Sequence, residues 1–117
     1  MTKTYSVIIT NSPFEPNLQK AGDLIIKLHV PYSKDQVTVK INPNIIKHDD
    51  APQPNTKQVY IYSDNAETLT LNFNFKSNKI QKIKVGTKDY EIKLMKISFS
   101  KSHGQEFPTF EFQVIEL

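Results

Sequence analysis

The stretch 67–99, ETLTLNFNFKSNKIQKIKVGTKDYEIKLMKISF, decides the fold class. Apolar residues recur at every second position of its strands, as at Leu69, Leu71 and Phe73, and polar residues stand between them. A period of two sends alternate side chains to opposite faces of a β-strand, one toward a core and one toward water. KSNK and VGTK are tight hairpin signals. In VGTK, Gly86 is free to adopt positive φ. The stretch therefore predicts a three-stranded antiparallel meander, with strands at 67–76, 79–85 and 88–99.

The same period recurs along the rest of the chain, and no stretch sustains the apolar stripe of an amphipathic helix. Further strands are predicted at 3–10, 22–31, 36–42, 57–63 and 106–116. About eight short strands with turn signals between them are typical of an all-β antiparallel sandwich, immunoglobulin-like or Greek-key. A small β-barrel is the alternative, and the Cys…Trp…Cys hallmark of true immunoglobulin domains is missing.

The composition fits a single domain over residues 1–117. Apolar residues make up 38% and charged residues 23%, which excludes a disordered or membrane-embedded chain. The absence of Cys excludes a disulfide scaffold, a thiolate zinc site and thiol catalysis. All 15 basic residues are Lys, so the chain lacks the planar Arg fork that grips guanine edges and phosphate. Sequence-specific nucleic acid is therefore not an expected partner.

The expected compartment is the cytoplasm. No run approaches the ~20 apolar residues of a transmembrane helix. The first residues, MTKTYSVIIT, fit a strand better than a signal peptide. The lack of Cys does not fix the compartment, because a secreted sandwich of this size needs no disulfide. A mature secreted chain given a new Met would show the same features.

Two predicted strands change the phase of their apolar positions. After Leu94 the apolar set continues at Ile97 and Phe99, and a bulge near Met95–Lys96 would restore the inward set. The alternative is a strand covered on both faces. The last strand changes phase at Ile115 and Leu117. This end too is either covered on both faces or a C-terminal edge strand through which a homo-oligomer would pair.

The stretch 42–57, NPNIIKHDDAPQPNTK, has no steady apolar period and carries His48, Asp49 and Asp50 side by side. These three are weak metal candidates, because a catalytic zinc site takes three protein ligands and adjacent residues lack the spacing of specific His pairs. The favoured interpretation is a loop that crosses between sheets, stiffened by its prolines. No cofactor is expected, since no motif marks a nucleophile, a phosphate loop or a calcium loop.

Two features supply candidate binding residues. The hairpin KSNKIQKIKVGTK carries lysines that would steer an anionic partner, at Lys76, Lys79, Lys82 and Lys84. The alternative is an exposed sheet edge that these lysines keep from aggregating. Tyr60 and Tyr62 share one face of a short predicted strand. They would anchor a protein partner, or else pack under the 42–57 loop.

The absence of a catalytic motif favours a protein that is not an enzyme. We expect a non-catalytic binding or assembly module that acts on a protein partner through a sheet face or edge. A carbohydrate-binding sandwich is the alternative, and the missing Trp counts against it. A metal-dependent enzyme with its site at the 42–57 loop is the further alternative.

Overall fold

A computed structural model describes residues 2–14, 17–43 and 68–117, and only the backbone of residues 30–32. These residues form two antiparallel sheets of four strands each, which confirms the all-β sandwich. The strands are β1 (Lys3–Thr10), β2 (Leu18–Ala21), β3 (Leu24–Ser33), β4 (Gln36–Pro43), β5 (Leu69–Asn74), β6 (Ile80–Val85), β7 (Lys88–Ser102) and β8 (Gln105–Glu116). Among the residues so described, no helix is long and apolar enough to cross a membrane.

Each sheet is built mainly from strands that are consecutive in the chain. The front sheet has the order β1-β8-β7-β6, and the back sheet has the order β2-β3-β4-β5. The described strands change sheet after β1 and again after β5. An immunoglobulin domain instead divides its strands as ABED and CFG, so that the chain leaves and re-enters each sheet. The immunoglobulin-like part of the prediction is therefore not confirmed, and the two sheets do not close into a barrel.

The core lies between the two sheets, where the predicted alternation places the apolar side chains. In β4, for example, Val37, Val39 and Ile41 are all buried. The rings of Phe73 in the back sheet and Phe112 in the front sheet meet edge to face, with centroids 5.4 Å apart. Burying one such side chain stabilises the fold by roughly 1.5–3 kcal/mol. The alternation therefore fixes which face of each strand points inward.

The short strand β2 was not predicted. The sequence placed one strand at 22–31, but Gly22 and Asp23 form a two-residue hairpin turn between Ala21 and Leu24. Gly22 adopts a φ of 58°, as such turns require. β2 has only four residues, LQKA, and two of them are exposed and polar. A strand this short does not show a period of two.

The meander predicted over 67–99 is wrong at its first turn. β5 pairs with β4 in the back sheet, where Phe73 lies opposite Val37. β6 lies in the front sheet, so only β6 and β7 form the predicted hairpin. The KSNK turn therefore carries the chain from one sheet to the other instead of folding it back on itself.

Asn74 builds this corner between the sheets. Its side-chain Oδ1 accepts hydrogen bonds from the backbone N–H groups of Lys76 and Ser77, at 2.9 and 3.2 Å. Its backbone also exchanges hydrogen bonds with Asn78, at 3.0 and 2.8 Å. Asn serves a corner as well as a hairpin, because its side chain bonds the backbone two residues on in either case. The local sequence therefore does not distinguish the two.

The bulge predicted near Met95–Lys96 is confirmed. Leu94 pairs with Phe112 and Lys96 pairs with Glu111, so Met95 is the extra residue on β7. Leu94 is fully buried, and Ile97 beyond the bulge packs against the core. One inserted residue thus restores the inward direction at Ile97, whereas Phe99 further along is 66% exposed and does not join the core.

The predicted C-terminal edge strand is wrong. β8 lies between β1 and β7, and Ile115 pairs with Thr4 on one side and with Glu91 on the other. The N–H of Leu117 donates a hydrogen bond to the carbonyl of Asp89 at 2.9 Å. Because both sides of β8 are already paired, a homo-oligomer cannot form through this strand as predicted.

Most of the 42–57 loop and the strand predicted at 57–63 fall within residues 44–67, outside the described residues. The interpretation of 42–57 as a crossing between sheets therefore stays a prediction. The strands before and after residues 44–67 are neighbours in the back sheet, with Ile41 opposite Leu69. The chain thus leaves and rejoins the same sheet across this stretch.

Candidate protein-binding edge

Five of the predicted site residues, His48, Asp49, Asp50, Tyr60 and Tyr62, lie outside the described residues. Their roles stay predictions. Within residues 2–14, 17–43 and 68–117, no group of three or more His, Cys, Asp or Glu side chains is placed to hold a metal ion. The described surfaces that bear on binding are therefore the lysine hairpin and the sheet edges.

Lys76 and Lys79 belong to the corner between the sheets. The Lys76 Nζ lies 3.3 Å from the Asp35 Oδ2, in the β3–β4 turn. The Lys79 Nζ lies 4.7 Å from the centroid of the Phe75 ring. Both ammonium groups thus have a partner inside the chain, one through an ion pair and one through a cation–π contact.

Lys82 and Lys84 lie on the outer face of β6, away from the corner. Glu91 and Asp89 stand directly opposite them on β7. Cross-strand pairs of opposite charge offset each other, so the structure does not gather the four lysines into one cationic patch. Lysines on an outermost strand also discourage pairing with another chain.

β1 is the other outermost strand of the front sheet among the described strands. Its eight residues, KTYSVIIT, carry a single charge, on Lys3. Val7 and Ile9 fill the core, whereas Ile8 lies on the outer face with 53% of its surface exposed. β-Branched and aromatic residues favour the extended chain. β1 is therefore a long, nearly uncharged edge with an exposed apolar side chain.

The backbone groups of β1 alternate between β8 and the open side of the strand. The Asn11 N–H donates to the Pro108 carbonyl at 2.9 Å, and the hydroxyl oxygens of the next pair, Thr10 and Thr109, lie 3.0 Å apart. Antiparallel strands alternate hydrogen-bonded and non-hydrogen-bonded pairs. Asn11 and Pro108 form a hydrogen-bonded pair, so Thr10 and Thr109 form a non-hydrogen-bonded one. Every second residue of β1, counted back from Thr10, therefore turns its N–H and C=O away from β8. In the middle of β1 these residues are Thr4, Ser6 and Ile8.

The other three outer strands carry features that oppose pairing. β6 has exposed lysines on its outer face. β2 has only four residues, including Lys20. In β5 the Asn72 carbonyl accepts hydrogen bonds from the side chain of Asn78, at 3.1 Å, and from that of Gln81. Lysines, short strands and covered edges are the devices that prevent edge-to-edge association. In the described part of the chain, β1 has only one of them, the single Lys3 at its first position.

A charged cluster lies at one end of β1. The Lys88 Nζ lies 2.9 Å from the Asp23 Oδ2 and 3.3 Å from the Glu116 Oε1, and Glu116 pairs with Lys3 in the register. The hydrogen bond and charge of Lys88 lower the pKa of the Asp23 carboxyl. Hydrogen bonds to Asp23 and then Glu116 raise the pKa of Lys88. The cluster ties the β2–β3 turn to the front sheet and leaves the rest of β1 without charge.

The sequence predicted a strand at 3–10 but did not identify it as a binding site. The local signal was the run TYSVIIT, which has no charge. An uncharged run is equally typical of a central strand. What makes β1 an outer strand is its pairing with β8, as at Thr10 and Thr109, which are 99 positions apart in the chain. No local pattern reports that pairing.

Comparisons with protein-family models, with curated proteins and with solved structures find no match to this chain. Function is therefore inferred from the geometry of β1 and its neighbours alone.

Proposed function

We propose that this protein is a non-catalytic binding or assembly module that adds an extended segment of a protein partner to β1. The observation that supports this most directly is the outward direction of the backbone groups of Thr4, Ser6 and Ile8. An open strand edge is a template for another chain. In strand addition, backbone hydrogen bonds supply affinity and the side chains on the two faces supply specificity.

The side chains beside this edge favour an uncharged, β-branched partner strand. On the outer face the added strand would lie against Ser6 and Ile8, and on the inner face it would lie near the half-buried Tyr5. Between Thr4 and Thr10 the edge offers no charge. A charged partner side chain would therefore lose water there without gaining an ion pair, which is unfavourable.

The lysines and tyrosines predicted from the sequence have a supporting part in this proposal. Lys82 and Lys84 remain predicted to steer an acidic partner, although Glu91 and Asp89 opposite them offset part of their charge. Tyr60 and Tyr62 remain predicted anchors for the same partner. Strand addition at β1 does not depend on either pair.

The proposal is tested with an array of short extended peptides of varied sequence. We expect the bound peptides to be rich in Val, Ile and Thr, and to shift the amide signals of Thr4, Ser6 and Ile8 in NMR spectra. Ser6→Pro should abolish this binding. The Ser6 N–H faces away from β8, so proline blocks addition without removing a hydrogen bond of the described sheet.

Ser6→Thr is the matched control, because it keeps the N–H and should bind as the unchanged protein does. Circular dichroism checks that both variants are folded. The proposal fails if the bound peptides shift amides elsewhere, if a folded Ser6→Pro variant binds them equally well, or if no peptide binds and the chain does not self-associate.

A further inference from the structure

We propose that the strand added at β1 is β1 of a second copy of this chain, related to the first by a twofold axis at Ser6. The two four-stranded front sheets would then form one continuous sheet. This inference rests on the proposed function, since it names the occupant of the same edge. The predicted homo-oligomer would thus pair through the N-terminal strand β1 and not through the C-terminal strand β8, which is paired on both sides.

The outward backbone groups of β1 are arranged symmetrically about Ser6. In an antiparallel pair centred there, Thr4 lies opposite Ile8 of the second copy, and Ser6 lies opposite its own equivalent. All three residues turn their N–H and C=O toward the open side. Each pair can therefore exchange both backbone hydrogen bonds of a regular antiparallel ladder.

The neighbouring register is less favourable. A pair centred on Val7 would place Thr10 opposite Thr4 of the second copy. The carbonyl of Thr10 already accepts a hydrogen bond from the Ser12 N–H, at 3.1 Å. A pair centred on Tyr5 would place Ile8 opposite Thr2, which lies outside β1. The register centred on Ser6 pairs Thr4, Ser6 and Ile8 with one another, inside β1 and without this competition.

The side chains of β1 are complementary to those of a second β1. On the outer face, Ile8 would pack against Thr4 of the second copy, and cross-strand pairs of β-branched residues stabilise a sheet. The exposed 53% of Ile8 would be partly covered. Lys3 would face Ile9 of the second copy, and the two Lys3 side chains would stand at opposite ends of the joined strands. No like charges meet.

A second copy fits this edge better than an unrelated strand for two reasons. The edge calls for an extended uncharged segment, and the chain carries such a segment in β1 itself. A twofold pair is also closed, because each β1 occupies the open side of the other. Association would therefore stop at a dimer. By contrast, self-pairing of β6 would bring its outer-face lysines together.

A charge-swap at Ser6 tests the dimer and its register together. Ser6 is exposed, so Ser6→Lys and Ser6→Glu should both fold. Each variant alone would place like charges directly opposite at the twofold axis, which is destabilising. We expect self-association to weaken at least about tenfold in either variant, measured by sedimentation over a range of protein concentrations. An equimolar mixture should form a mixed dimer, whereas Ser6→Thr should self-associate as the unchanged protein does.

Hydrogen exchange gives a second, independent readout. In the dimer the N–H groups of Thr4, Ser6 and Ile8 should exchange more slowly as the protein concentration rises. A protein that stays monomeric, a dimer in which these amides still exchange fast, or a mixture that fails to form the mixed dimer would each overturn the inference. If the protein is monomeric but short peptides bind β1, the inference fails and the proposed function stands. If neither occurs, both fail.

Discussion

The ring of Tyr5 in the front sheet lies directly against Gly22 in the β2–β3 turn of the back sheet. A Cβ atom on Gly22 would lie 2.9 Å from the Tyr5 Cζ and 3.0 Å from its hydroxyl oxygen. Gly22 also adopts a φ of 58°, in the left-handed region. Two separate requirements for glycine therefore coincide at this seam between the sheets, one from the turn and one from the neighbouring ring.

Gly22→Ala should destabilise the protein through both requirements. The left-handed backbone costs a residue with a Cβ about 1–2 kcal/mol. Displacing the Tyr5 ring from a packed position costs about 1–3 kcal/mol more. Urea denaturation followed by circular dichroism measures the sum as a lower midpoint.

Gly86→Ala is the matched control. Gly86 also has a positive φ, of 65°, but a Cβ there would meet nothing within 4 Å. It should therefore lose only the backbone part, about 1–2 kcal/mol. Equal losses at the two positions would show that the Tyr5 ring moves aside at no cost.

Lys88→Met should lower the melting temperature by removing both contacts of the charged cluster at Asp23 and Glu116. The loss should be small and should shrink as salt is added, because the groups are exposed. Lys93→Met is the matched control, because Lys93 lies opposite the uncharged Ile80 and Gln113. It makes the same change on the same sheet, at a lysine outside the ion pairs of the described residues. Equal losses in the two variants would assign the effect to charge removal in general.

The contribution of Lys88 should also depend on pH. Because the cluster lowers the pKa of Asp23, its stabilisation is complete above the ordinary pKa of Asp and is lost as the pH falls through the lowered pKa. Because the pKa of Lys88 is raised, the stabilisation by its ammonium group is complete below the ordinary pKa of Lys. It is lost only when the pH rises through the raised pKa. The difference in melting temperature between Lys88→Met and the unchanged protein should therefore be constant near neutrality and vanish in acid. A difference that persisted in strong acid would contradict this assignment.

Asn74→Ala should loosen the corner that sends the chain from the back sheet to the front sheet. The variant loses the acceptor for two backbone N–H groups, those of Lys76 and Ser77. Each hydrogen bond contributes about 1 kcal/mol, so we expect a loss of about 1–2 kcal/mol in urea denaturation. Asn74→Asp keeps an acceptor oxygen and should lose less. If Ala and Asp destabilise equally, the side-chain acceptor does not stabilise the corner.

Local features of the fold could be predicted from the sequence, because they depend on neighbouring residues. The buried faces of β4 and β7 follow from the period of two, and the bulge follows from the change of phase between Leu94 and Ile97. Pairing between distant strands could not be predicted in this way. The KSNK turn gives the same signal whether β5 pairs with β6 or, as observed, with β4. Which strand β5 pairs with depends on the packing of the whole core and not on the turn residues.

The candidate site was missed for the same reason. An outer strand is one with a neighbouring strand on one side only. Whether β1 or β8 is the outer strand depends on pairing between distant residues, such as Thr4 and Ile115. The apolar C-terminal residues suggested an edge at β8. In the structure β8 is paired on both sides, and among the described strands of the front sheet the outer one beside it is β1. Apolar, uncharged sequence alone does not separate these two cases.

Deletion of Met95 should be tolerated, because Met95 is the residue that the bulge adds to β7. Without it Leu94 and Lys96 become adjacent, and both keep their partners Phe112 and Glu111. The alternation beyond that point is then regular, so Ile97 still faces the core. Deletion of Lys93 is the matched control, since it turns the fully buried Leu94 outward and brings Met95 inward. We expect the Lys93 deletion to be less stable than the Met95 deletion by about 1 kcal/mol in urea denaturation, because Met replaces Leu at the inner position. Both deletions remove the bulge, so the reverse order would mean that Met95 fills the inner position opposite Phe112 better than Leu94 does.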